Sequence, residues 1–328
     1  MKILVAVDPS EHTQEAIRFV KSVDWPKTSE MYLIHVIEMK HASSLIPSDG
    51  PSSWDRVISE ARGKLFTKAK GLLKQTQKEI LEESAVTIKS LVMEGLPGAQ
   101  ILQAVEDYQI DLVILGTRGL SNVKRFLLGS TSDWVMREAP CSVLLVREKL
   151  SKVTMGKAAA KILLATDGSS VALSTVDMLG LLACKTPPKV TVAHVVGKPV
   201  YLEGWFGRKG KPAFKQLAGQ FLEKSHKEAA SHLEELSQRV KDLGMKVDTV
   251  LTKGDPAEEI VKIAERSKPK LIMVGSKGFK GGKPVPLGDV VRKIARHAPC
   301  SVFLIRPGRW VDGRPLSPET LKTIRVFP

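Results

Sequence analysis

Cysteine is scarce in this chain: three residues in 328, Cys141, Cys184 and Cys300, lie far apart and in no CxxC or His/Cys ligand spacing. That excludes a disulfide framework and a cysteine-based structural zinc, and it reads as a reducing compartment, the cytoplasm. Long apolar runs are missing as well. The run Ile3-Leu4-Val5-Ala6-Val7 is broken by Asp8, too soon for a signal-peptide core, and no stretch approaches the ~18 apolar residues a membrane span requires. Signatures of dedicated catalysis are also wanting, since there is no HExxH, no GxSxG and no SGGxDS-type loop. The run GFKGGK (278–283) is one residue short of a P-loop and continues into Pro284 where that loop needs Ser or Thr. The seven histidines are scattered, and His35 and His194 fall at matching strand positions, where a core or strand-edge imidazole is the plain reading. No catalytic residue and no metal ligand is assigned.

What the chain does have is length for two domains and a strong charge asymmetry. At 328 residues it is about twice the ~150-residue domain mode, and 43% hydrophobic with 26% charged residues suits ordinary globular cores. Residues 1–150 carry 19 Lys+Arg against 19 Asp+Glu, leaving 31 against 16 beyond Leu150, so the whole +15 excess lies in the second half. An anionic partner for that half is expected: nucleic acid, a lipid surface, polyphosphate or an acidic protein.

The two halves repeat each other at a shift of 159 residues. KILVAVD (2–8) falls on KILLATD (161–167), His35-Val36 on His194-Val195, Gly95 on Gly254, and APCSVLLVR (139–147) on APCSVFLIR (298–306). A period this long is a duplicated domain rather than a solenoid unit. Within each copy β-branched runs alternate with long amphipathic segments, the βαβαβαβαβ pattern of a parallel sheet covered by helices. In the first copy strands are expected near residues 3–7, 31–37, 87–93, 112–115 and 142–146, and a long helix near 54–83 with Ile58, Leu65, Leu72 and Ile80 as its apolar stripe. Phe214, Leu217, Phe221, Leu233, Leu236 and Val240 serve likewise in the second. Asp255-Pro256-Ala257-Glu258 has the cap, first-turn proline and acidic third position of a helix start, whereas Leu96-Pro97-Gly98 keeps the proline without the cap.

Gly116-Thr117-Arg118-Gly119 follows the apolar strand LVIL directly, and Gly129-Ser130-Thr131 opens a helix nine residues after Gly119, a spacing of G-x2-G-x9-G-S. Glycines after a strand let backbone N–H groups approach phosphate, and a helix N-terminus adds donors and a favourable dipole. The same residues also serve as tight turns with Ser130 as an N-cap, and Asp8 with Ser10 stands where a first helix must be capped.

Asp8 and Ser10 after the opening strand, HVIE in the second, GLPGAQI before the third helix, G-x2-G-x9-G-S and APCSVLLVR together resemble the universal stress protein family, in its tandem-domain form, over nearly the whole chain to Arg306. The resemblance implies two adenine-nucleotide-binding Rossmann-like domains, each a five-stranded parallel sheet of order 3-2-1-4-5 with helices on both faces, in residues 1–150 and 151–306, followed by an extension at 307–328. It implies ATP as ligand, with or without Mg, and a regulatory module with at most slow ATP hydrolysis or self-phosphorylation. The site residues it implies are Val7, Asp8, Val36, Gly116, Arg118, Gly119, Gly129, Ser130 and Thr131, and in the second copy Asp167, Val195, Gly275, Gly278 and Gly288. There Ser130 is replaced by Asp289, which sets a carboxylate against phosphate at the helix N-terminus and weakens or repurposes that pocket. ATP is therefore expected mainly in the first domain.

The loops diverge more than the elements. MKHASSLIPSDGPSSW (39–54) reads as a lid. KPVYLEGWFGRKGKPAFK (198–215) interleaves aromatics with cations, a composition for stacking on bases, entering headgroups or anchoring a protein. The terminal strands Cys141–Arg147 and Cys300–Arg306 are apolar edges that need cover. The family resemblance implies that they pair antiparallel, making one chain a pseudo-two-fold dimer with other surfaces left for a further homodimer. The connecting residues 148–160 reach roughly 40 Å at ~3.3 Å each.

Overall fold

The computed structural model describes residues 1–26, 28–38, 53–82, 86–117, 128–147, 160–169, 171–181, 187–197, 212–276 and 287–306. Residues 39–52 of the expected lid, most of the aromatic-basic loop, Arg118, Gly119, Gly278, Cys184 and the C-terminal extension lie outside them. The chain divides after Ser151 into two compact units. The described residues hold ten strands and eight helices.

The first unit runs β1 (Lys2–Ala6), α1 (Glu11–Ser22), β2 (Glu30–Ile37), α2 (Ser53–Leu81), β3 (Thr87–Glu94), α3 (Pro97–Asp107), β4 (Leu112–Gly116), α4 (Ser130–Glu138) and β5 (Ser142–Val146). Its strands are parallel in the order β3-β2-β1-β4-β5. β4 and β5 are buried on both faces, which is why they read as unbroken apolar runs. Right-handed crossovers carry α1 and α2 over one face and α3 and α4 over the other, because the chain reverses direction across the sheet at β1. Ser10 caps α1, its Oγ accepting from the Thr13 N–H, and Thr13, Ala16, Ile17 and Val20 line the buried face. Complete burial of large residues such as Ile3, Leu4, Leu33 and Ile114 contributes about 1.5–3 kcal/mol each.

The second unit repeats the plan as β6 (Lys161–Thr166), α5 (Val171–Leu181), β7 (Lys189–Gly197), α6 (Pro212–Asp242), β8 (Lys246–Gly254), α7 (Pro256–Ser267), β9 (Leu271–Gly275), α8 (Asp289–His297) and β10 (Ser301–Ile305). Its order is β8-β7-β6-β9-β10, again 3-2-1-4-5. Gly254 closes β8 at φ +154 and Gly95 closes β3 at φ +137, a conformation other residues adopt only under strain, so this bend is held by glycine in both copies.

Two expectations about packing need correction. In α2 the buried positions are Ala69, Leu73, Thr76 and Ile80, whereas Leu65 is 42% exposed and Leu72 only half-buried. The sevenfold spacing of Ile58, Leu65, Leu72 and Ile80 drifts around a 3.6-residue helix, so it crosses from core to cleft. In α6, Leu233, Leu236 and Val240 are buried as expected, but Phe221 is 54% exposed.

Candidate functional site

Strand order reverses around β1, and a crevice forms where the carboxyl ends of β1 and β4 part, the position at which doubly wound sheets take ligands. In the first unit a cavity of about 800 Å³ occupies it. Val7, Asp8, Val36, Gly116, Gly129, Ser130 and Thr131, all expected from sequence, line it together.

Each wall follows from local structure. Beyond β1, Asp8 Oδ1 accepts from the Ser10 N–H at 3.1 Å, from Ser10 Oγ, and from Thr13 Oγ1 at 2.5 Å, while the Asp8 N–H donates to Thr13 Oγ1 at 3.1 Å. The carboxylate is thus fixed at the cleft edge by the cap of α1. On β2, the Ile34 carbonyl accepts from the Val7 N–H at 2.8 Å, facing β1. Backbone groups of a strand alternate in direction, so the N–H and C=O of Val36 point to that same side, one step beyond the end of β1 and into the crevice. His35 donates from Nδ1 to the Val7 carbonyl at 2.7 Å, a satisfied structural imidazole.

The third wall is the start of α4. The N-cap is Gly129, with φ −65° and ψ 151°, and Ser130 is the first helical residue, so the expectation of Ser130 as N-cap is corrected by one position. Any residue adopts those angles, which makes the missing side chain, not a special turn, the feature Gly129 contributes. The Gly129 N–H donates to the Thr117 carbonyl at 2.8 Å, the Thr117 N–H to the Val146 carbonyl at 2.9 Å, and Ser132 Oγ to the Gly116 carbonyl at 2.7 Å. These bonds tie the helix start to the ends of β4 and β5. The cleft therefore meets a helix N-terminus carrying Ser130, Thr131 and Ser132, with the hydroxyl and dipole chemistry that suits an anion.

The sequence left part of the lining unassigned. α2 contributes Leu65, Lys68, Ala69 and Leu72, and α3 contributes Pro97 and Ile101. Leu65 and Leu72 were assigned to the core stripe, and the exposure they keep is what an apolar cleft wall needs. Thr13 was also missed, although its place five residues after Asp8, in the first turn of a capped helix, is a readable signal.

The second unit departs from this arrangement at every wall. Gly168, at φ +76°, takes the place of Pro9, and an added Cβ there would stand 2.4 Å from Nδ1 of His232 on α6. Val171 lies over Gly275, 2.7 Å from where a Cβ would be. Asp167 is exposed and accepts from the Ser169 N–H at 3.0 Å, without the bond that Thr13 Oγ1 gives Asp8, since Ala172 stands at that position. Val195 and His194 are buried, and burial pushes the His194 imidazole below its usual 6.5, with His232 adding to the effect and Asp167 opposing it. Gly288 is the N-cap of α8. Asp289 is the first residue of α8 and bonds to Arg292 one turn on. Val290 and Val291 replace Thr131 and Ser132, so all three hydroxyls of the first helix start are gone, a change that the 159-residue shift would have revealed.

Fold and crevice define a tandem doubly wound α/β protein, with an anion-suited helix start at the switch point of its first unit. The family model of the universal stress protein family matches residues 1–147 and again 159–306, and the chain belongs to that family. It is 32% identical over 157 residues to universal stress protein MJ0577 of Methanocaldococcus jannaschii, spanning 46% of this chain and 96% of that protein. It is 28% identical over 156 residues to universal stress protein YxiE of Bacillus subtilis, spanning 44% and 98%. A universal stress protein from Archaeoglobus fulgidus shares the fold over 94% of this chain and 98% of its own, with a TM-score of 0.59 at 20% identity. Among the described residues no helix is long and apolar enough to cross a membrane.

Proposed function

We propose that the chain is a nucleotide-responsive stress protein that binds ATP in its first unit and acts through conformation and partners rather than through turnover. The observation that carries this is the convergence, on one cavity of about 800 Å³, of the outward backbone of Val36, the fixed carboxylate of Asp8 and the hydroxyl-bearing N-terminus of α4. An adenine meets the Val36 backbone against the apolar wall of Leu65, Leu72 and Ile101, the ribose lies toward Asp8, and the phosphates lie toward Gly129, Ser130 and Thr131. Arg118 and Gly119, from the same glycine motif, are proposed to join them. Mg, if it accompanies the nucleotide, rides on the phosphates.

In the second unit Asp167, Val195, Gly275, Gly278 and Gly288 keep the motif, but the crowding by His232 and Val171 and the Asp289-Val290-Val291 start of α8 support a weak or altered site. The two units are proposed to associate through β5 and β10 as a pseudo-two-fold pair, with the cytoplasm as compartment. A second reading, favoured by the +15 charge held beyond Leu150, gives the basic unit a polyanionic partner.

Thermal unfolding of the full chain with and without ATP tests the primary reading. A ligand bound only by the native state at a hundred times its Kd adds about 2.7 kcal/mol. The unfolding midpoint is expected to rise with ATP in the parent and not in Gly129→Glu. An unchanged midpoint in the parent at millimolar ATP contradicts it.

A further inference from the structure

We infer that the pole of the second unit opposite its cleft docks the phosphate backbone of duplex nucleic acid. The inference is independent of the nucleotide reading and gives the second reading a location. Register brings four lysines into one row. Lys246 pairs with Lys189 across β8 and β7, and Lys189 with Lys161 across β7 and β6. Ile162 pairs with Leu271 in β9, which sets Lys270 beside Lys161, and the Lys270 N–H donates to the Lys161 carbonyl at 2.9 Å. Adjacent strands lie ~4.8 Å apart, so the row crosses roughly 14 Å. Lys268, at φ +50° just past α7, and Arg266 in its last turn flank the row.

The first unit gives the control, because the same backbone carries different charges there. At the 159-residue shift the row reads Thr87, Glu30, Lys2 and Asp111, with Gln109 for Lys268 and Asp107 for Arg266. Part of the change is neutral: the cross-strand pair Glu30–Lys89 at 3.2 Å becomes Lys189–Asp248 at 2.7 Å, with signs exchanged. The surplus therefore comes from Lys246, Lys268, Lys270 and Arg266. Among the described residues no carboxylate bonds to Lys246, Lys268 or Lys270, while Lys161 Nζ donates to the Ser267 carbonyl at 3.3 Å rather than to a carboxylate. Cations complement a helix C-terminus, which alone would account for Arg266. Yet α3 has no basic residue in its last turn, so the fold does not require them.

The chemistry of the pole selects the partner. Phe221 and Val290, the exposed large apolar side chains described in this unit, sit toward the other ends of α6 and α8. Among the described residues the pole shows no apolar wedge to insert among lipid headgroups and no aromatic to stack on unpaired bases. A flat comb of lysines fits the regular phosphates of a duplex, read without regard to sequence.

The test is fluorescence anisotropy of a labelled 20-base-pair DNA duplex with the full chain between 50 and 200 mM KCl. Neutralising about four phosphates gives a log–log salt slope near −3.6, a loss of roughly 100-fold over that range. The variant Lys246→Thr/Lys268→Gln/Lys270→Asp installs the residues that the first unit carries on the same backbone. It is expected to bind at least tenfold more weakly at 50 mM KCl with a slope near −1. Lys268→Gln/Lys270→Gln provides a milder version, expected to fall between. ATP titration of either variant is expected to match the parent, which separates this inference from the nucleotide reading. Absence of duplex binding by the parent overturns the inference. So does an unchanged affinity and slope in both variants, or binding to phosphatidylglycerol vesicles but not to the duplex.

Discussion

Asp8 is held in the cap of α1 through one carboxylate oxygen. Its bonds to the Ser10 N–H, Ser10 Oγ and Thr13 Oγ1 all end on Oδ1, leaving Oδ2 outside the capping network at the cleft edge. Capping and ligand contact, alternatives in the sequence, are compatible in the structure. The equivalent histidines diverge more. His35 is bonded to the Val7 carbonyl, whereas His194 is buried with no partner for Nδ1 among the described residues. Burial holds the His194 pKa below 6.5, so the unfolded chain binds its proton more readily than the native state. That contribution to stability is fully present above pH 6.5 and is lost as pH falls through the window between 6.5 and the lowered native value. His194→Gln is expected to flatten the decline in urea midpoint between pH 7 and pH 5 relative to the parent. An identical decline in both proteins contradicts this assignment.

Among the elements, the helix starts after β3 and β8 form a natural comparison. Asp255 caps α7, Oδ1 accepting from the Glu258 N–H at 3.0 Å, at φ −72° and ψ 121°. Leu96 holds φ −74° and ψ 121° before α3 with no side-chain cap and is 60% exposed. Leu96→Asp therefore meets a backbone already shaped for it and is expected to stabilise the first unit by about 1 kcal/mol, seen as a higher denaturant midpoint at unchanged slope. Both starts were legible because capping and proline rules act within four residues. The strands were legible too, since β4 and β5 must be apolar on both faces. The course of α2 was not. A leucine facing a cleft and a leucine facing the core have the same hydropathy, and only tertiary placement separates Leu65 and Leu72 from Leu73 and Ile80. The glycine and hydroxyl walls of the cleft were readable because glycines just after a strand and hydroxyls at a helix start are marked by residue type and spacing within a short segment. Lys68 and Ile101 were not, because nothing local marks them as lining.

At the scale of the molecule, duplication lets one copy keep a site while the other changes it. Ser130-Thr131-Ser132 became Asp289-Val290-Val291 at one end of the second unit, and Glu30, Thr87 and Asp111 correspond to lysines at the other. Neither change falls on a buried strand position, so each copy retains its sheet core. If the two units associate as proposed, the chain behaves as one compact body, with a radius of gyration of about 20 Å for its length. Small-angle scattering is expected to give that value, whereas a clearly larger one, with the profile of two independently moving bodies, contradicts the association.

The central claim, one nucleotide held by the hydroxyl-bearing cleft of the first unit, is tested most directly by calorimetric titration of ATP into the full chain. The expected result is one site per chain. Ser130→Asp should weaken it at least tenfold, because a carboxylate near 4 Å from phosphate opposes binding by up to about 4 kcal/mol at an effective dielectric of 20, and a third of that is a factor of ten. Asp289→Asn should leave the first site unchanged. Two sites of equal affinity, or a single site that survives Ser130→Asp, would contradict the account.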